Sequence, residues 1–140
     1  MGKINFARVL IGGLVAGVIL NIGEFLLNGM VLAKEMKDFF QKCGFPEPGT
    51  NFMVIAVVIT FVVDIVLVLL YAAIRPRFGA GPKTAIIAAL FAWFGVYVYQ
   101  TVIGFGLGMM PPKVLVIGLA WGLVEYILAA LAGGALYQEA

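Results

Sequence analysis

Four apolar stretches, at residues 9–33, 52–74, 84–106 and 113–137, each exceed the ~20 residues a helix needs to cross a bilayer. Lipid cannot satisfy free backbone groups, and four strands cannot close a barrel, so helices are the open choice. Composition leads to the same place. The chain has 140 residues, 64% hydrophobic and 11% charged, with a mean hydropathy of +1.11. Soluble domains carry about 25% charged and roughly 45–50% apolar residues. A chain this short has too little interior to hide the excess, so lipid must solvate it. The expected fold is all-α: a polytopic membrane protein forming one domain over residues 1–140, an up-down bundle of four transmembrane helices.

The first stretch follows Lys3 and Arg8, as a signal peptide would. Its apolar run is too long for one, it contains Asn21 and Glu24, and no A-x-A-like site follows, so it reads as a membrane helix. Basic residues set orientation. Lys3, Arg8, Arg75, Arg77 and Lys83 fall on one side, against Lys34, Lys37, Lys42 and Lys113 on the other. The first group is not interleaved with acids, so both termini are expected in the cytoplasm of a bacterial inner membrane. In the first loop, Met36, Phe39, Phe40 and Cys43 recur at helical spacing among Lys37, Asp38 and Gln41. That pattern predicts a short amphipathic helix over 34–43 lying in the interface, broken by Pro46 and Pro48.

Several chemistries are excluded. A formal charge of +2 and no basic cluster above three residues give no reason for a nucleic-acid partner. Cys43 is the sole cysteine, so neither an intrachain disulfide nor a Cys-based metal cluster can form. The chain has no histidine, which removes His-ligated metal and haem centres and His-based triads. No catalytic residue, metal or cofactor is expected, and the chain does not read as an enzyme.

The placement of acids is the most informative pattern. Glu24, Asp64 and Glu125 stand near the middle of the first, second and fourth stretches, and no Lys, Arg or His interrupts any of them. Counted from the ends of the apolar runs, the three acids fall at one depth. The faces agree: Gly13, Gly17, Asn21, Glu24 and Asn28 form one stripe, as do Gly118, Gly122, Glu125 and Ala129, and Thr60 shares a face with Asp64. Small residues let helices approach in lipid and polar ones bond across the contact. A charge at the bilayer centre costs about 2.5–3.5 kcal/mol on insertion scales. Three unpaired carboxylates therefore need protons or a cation. The expectation is a proton- or cation-binding site of Glu24, Asp64 and Glu125, with Asn21, Asn28, Thr60, Tyr97 and Gln100 as neutral support. The alternative is that protonated acids act as interhelical glue in a non-catalytic or accessory subunit of a membrane complex.

Other signals carry less. The run Thr101-Val102-Ile103-Gly104-Phe105-Gly106 is similar to a potassium-channel filter, but Ile103 breaks the carbonyl register. Glycine pairs at Gly13/Gly17, Gly104/Gly108 and Gly118/Gly122 serve internal packing more readily than a partner helix. Trp93 and Trp121 read as packing or belt aromatics. Four helices enclose little volume, so a homo-oligomer or a place in a larger membrane complex is expected.

The polar-interrupted first helix, the loop sequence Gly44-Phe45-Pro46 and the helix-opening Pro112 resemble those of small bacterial four-helix membrane proteins that bring no assigned activity. Four short helices with a glutamate in the first are also similar, more loosely, to small multidrug transporters. That family has one membrane acid where this chain has three.

Overall fold

The computed structural model describes residues 3–140. Four of its helices are long and apolar enough to cross a membrane: α1 (Phe6–Val31), α3 (Thr50–Phe78), α4 (Pro82–Gly106) and α5 (Pro112–Ala135). A short fifth helix, α2 (Ala33–Cys43), joins α1 to α3, and no strand occurs among the described residues. These helices are compatible with a multi-pass membrane protein.

Helix ends differ from the apolar-run ends for local reasons. Asn5 Oδ1 accepts the Arg8 N–H at 3.2 Å, which caps α1 and starts it before the first apolar run. Arg75-Pro76-Arg77, which follows the second apolar stretch, lies inside α3. Pro76 sits in the last turn, where the missing N–H forfeits one bond only, and Gly79 N–H closes the end on the Arg75 carbonyl at 2.8 Å. Pro82 and Pro112 each open a helix at its first position, where the fixed φ fits and the N–H would be unused.

The four long helices form a ring in chain order, each antiparallel to its neighbours, with α1 packed on α3 and α5, and α4 packed on α5 and α3. Glycine sets how close they come. A β-carbon on Gly12 would stand 2.6 Å from the Gly133 carbonyl, so α1 and α5 meet backbone to backbone there. A β-carbon on Gly13 would fall 2.5 Å from Ile65 Cα, and Gly17 takes the Phe61 ring. The Gly13/Gly17 pair is thus used up inside the bundle.

The bundle is closed at one end and splayed at the other. At the end holding both termini, the Tyr71 and Tyr137 rings meet edge-on at 5.9 Å, and the Arg75 guanidinium lies 5.4 Å from the Tyr137 ring centre. The Tyr137 hydroxyl accepts the Asn5 N–H at 3.4 Å and Tyr71 accepts the Gly81 N–H at 3.1 Å. Towards the other end, the first turns of α3 (Phe52, Ile55, Ile59) and the later turns of α4 (Phe94, Val102, Ile103) are exposed and apolar. The helix α2 is amphipathic, as its sequence spacing implies. It is set off from α1 by a break at Leu32 and ended by Gly44, whose φ of 67° suits glycine. Lys113 Nζ donates to Glu35 Oε1 at 2.5 Å, tying α2 to the start of α5 and holding the Glu35 carboxyl below the usual carboxylate range.

Candidate functional site

Where the bundle begins to splay, three helices deliver polar side chains to one point. The Tyr97 hydroxyl, from α4, stands 2.5 Å from Glu24 Oε1 of α1 and 3.0 Å from Glu125 Oε1 of α5. Each glutamate is also held from its own helix, one turn away. Asn28 Nδ2 donates to Glu24 Oε2 at 2.7 Å, and Trp121 Nε1 donates to Glu125 Oε2 at 3.1 Å. The carboxyls are therefore aimed at the same phenol oxygen by their outer oxygens being tied back.

Two glycines make the convergence possible. A β-carbon on Gly122 would stand 2.7 Å from the Tyr97 ring, so the ring lies flat against α5. A β-carbon on Gly23 would collide with Glu125 Oε2, so α1 leaves room for that carboxyl. Trp93 Nε1 donates to the Leu119 carbonyl at 3.0 Å and ties α4 to α5 one turn from Tyr97.

Both α1 and α4 widen into a single π turn at this level. At Leu27–Val31 the Leu32 N–H reaches back to Leu27 at 2.7 Å, and at Phe94–Val98 the Tyr99 N–H bonds Phe94. Asn28 and Tyr97 lie within these turns. Such bulges concentrate at functional sites in helical proteins.

The sequence-derived set divides in the structure. Glu24, Glu125, Tyr97 and Asn28 come together. Asp64 does not join them. Its neighbour Ile65 packs on Gly13, which is eleven residues, roughly 16 Å of helix, from Glu24. The three acids are not at one level because the Gly13–Ile65 and Gly17–Phe61 contacts fix how α1 lies along α3, and that register sets Asp64 beside the Gly13 level and not beside Glu24. Asp64 is 0% exposed, and neither carboxyl oxygen has a hydrogen-bond partner. Asn21 Nδ2 donates to the Gly17 carbonyl at 2.8 Å and reaches the Val57 carbonyl at 3.5 Å. Thr60 bonds back to the Ala56 carbonyl at 2.8 Å, and Gln100 is exposed. None of these three hydrogen-bonds to the acids. Among the described residues no group of three or more Asp, Glu or Cys side chains is placed to hold a metal ion.

Sequence reasoning passed over Trp121, Gly23 and the positioning role of Gly122. The Trp121–Glu125 spacing of one turn was a usable signal for the first. A groove of about 520 Å³ runs between α1 and α5 beside the site, with Glu125 among its lining residues. Comparison with family models, with curated proteins and with solved structures finds no match for the chain.

Proposed function

We propose that this is a multi-pass membrane protein that binds a proton or small cation between Glu24 and Glu125, with Tyr97 as the shared partner. One observation carries the reading. A phenol has a single proton to donate, yet the Tyr97 oxygen lies within hydrogen-bond distance of both carboxyls. If Tyr97 donates to one, the second contact is a bond only when the other carboxyl donates its own proton to the phenol oxygen. The arrangement thus contains a place for one ionisable proton beyond the phenol's. A small cation between the two carboxylates would take the same place and neutralise the same charge. Intramembrane acids that face a bundle interior mark proton and ion sites by default.

Infrared spectroscopy with isotope-labelled glutamate, in lipid nanodiscs near neutral pH, tests this. A protonated glutamate carbonyl band is expected in the wild type, shifted by Tyr97→Phe and lost in Glu125→Gln. A wild type with both glutamates fully ionised and no cation dependence would overturn the proposal. Vesicle flux across a pH gradient, with Glu125→Gln as the control, then asks whether binding is coupled to translocation.

The splayed end favours a second reading, in which the chain is an accessory subunit. There the outer part of α4 packs chiefly on α5 and leaves room for a helix of another chain or another copy. Mass measurement in mild detergent across dilution tests self-assembly at this end: a monomer throughout counts against it.

A further inference from the structure

A cavity of about 450 Å³ lies away from the glutamates, between α2 and the turn that joins α4 to α5. Three methionines line it: Met36 from α2, and Met109 and Met110 from the turn. The chain has six methionines, so half of them meet at this one place, from segments far apart in the sequence. The backbone fixes where these side chains start. Gly108, with a φ of 70°, turns the chain out of α4, and the Met109 N–H bonds the Gly104 carbonyl at 3.0 Å. Pro111 then restricts the step into α5. On the other side, Met36 follows Glu35, whose bond to Lys113 ties α2 to the start of α5. Met36 and Met110 both pack on the small cluster of Leu27, Leu32 and Val114.

We infer that this cavity binds a soft monovalent metal ion of the copper(I) type, held by the thioethers of Met36, Met109 and Met110. Methionine in a core fills irregular gaps, whereas here three of them border a cavity instead of filling it. Charge does not choose the ligand. Glu35 and Asp38 in the lining stand against Lys42 and against Lys113, the partner of Glu35, and the four cancel. Softness does choose it. Thioether sulfur suits copper(I), and hard ions such as magnesium and calcium prefer carboxylate, carbonyl and water oxygen. The unbranched methionine chains can swing their sulfurs onto one ion from both sides of the cavity. Such an ion would bridge α2 to the turn, beside the ion pair that already ties α2 to α5.

Silver(I), a redox-inert stand-in for copper(I), tests the inference when titrated as its nitrate into chloride-free nanodiscs. Cys43→Ser serves as the parent, so that the sole thiol cannot compete. One silver should bind per chain, and X-ray absorption at the silver edge should show sulfur neighbours. Met36→Leu and Met110→Leu conserve volume and should each weaken binding at least tenfold. Met53→Leu, at an exposed methionine outside the cavity, should leave it unchanged. Silver should also slow amide exchange in α2. Silver that binds only when Cys43 is present, a shell of oxygen alone, or undiminished binding in a Met36→Leu, Met110→Leu double variant would overturn the assignment.

Discussion

Gly122 lies directly under the ring of Tyr97: a β-carbon there would stand 2.7 Å from the ring carbons. The phenol reaches both glutamates only because α5 presents bare backbone at this point.

Gly122→Ala should therefore lift Tyr97 away from α5 and break at least one of its two carboxyl contacts. Overpacking of this kind costs about 1–3 kcal/mol. The tyrosine C–O and glutamate C=O infrared bands should both move, and Gly118→Ala, where a β-carbon meets open space, should move neither. If the two variants behave alike, the glycine is not positioning the ring.

Asp64 gives a different outcome. Both its oxygens are buried without a partner, which is costly for a carboxyl and most costly for its anion. Asp64→Leu should leave stability unchanged or raise it by about 1–3 kcal/mol, as buried polar groups replaced by apolar ones of similar volume often do. Asp64→Asn should leave the glutamate band of the Glu24–Glu125 pair in place, since no hydrogen bond joins them. A thermal melt in detergent and the labelled infrared spectrum read the two effects. A large loss of stability in Asp64→Leu, or a shifted glutamate band in Asp64→Asn, would bring Asp64 back into a common site.

The tie between α2 and α5 should depend on pH. Lys113 bonded to Glu35 lowers the carboxyl's pKa below its value in the unfolded chain. The sign follows: a depressed carboxylate contributes its full stabilisation above the unfolded pKa and loses it as pH falls through the folded one. Amide exchange in α2 should thus be slow near neutral pH and rise on acidification below the ordinary glutamate range. Lys113→Met should make it fast at all pH values, and an unchanged profile in that variant would rule out the ion pair as the tie.

Topology remains a separate matter with a simple test. The basic groups Lys3, Arg75, Arg77 and Lys83 cluster at the end that holds both termini. A reporter active only in the cytoplasm, fused after Ala140, should be active. A silent reporter with normal expression would invert the orientation and leave the helices as they are.

The helices were legible because apolar length and flanking charge are properties of a linear sequence. The second helix in the first loop was legible too, since Met36, Phe39, Phe40 and Cys43 share one face, but the break at Leu32 that sets it off from α1 was not. The level of each acid was not. It depends on how neighbouring helices slide past one another, and the contacts of Gly13 with Ile65 and Gly17 with Phe61 that set this for α1 and α3 are not visible in an apolar count. The pairing of Glu24 with Glu125 was half legible: the stripes gave the faces, but only the close contacts at Gly12 and Gly133 set how α1 slides along α5. Trp121 read as an ordinary aromatic because a donor is recognised by its acceptor, and that acceptor was assigned elsewhere.

The two π turns carry one more consequence. A π turn is what an α-helix makes of one residue too many, so each of Leu27–Val31 and Phe94–Val98 behaves as an absorbed insertion. Deleting Gly29 or Gly95 would let the helix rewind as α with the outer segment nearly in its old facing. A single residue taken out elsewhere in α1 or α4 would instead turn everything beyond it by about 100°. The bundle thus has two places where its length can change by one residue without scrambling which side chains face outward, and both lie at the level of the glutamates.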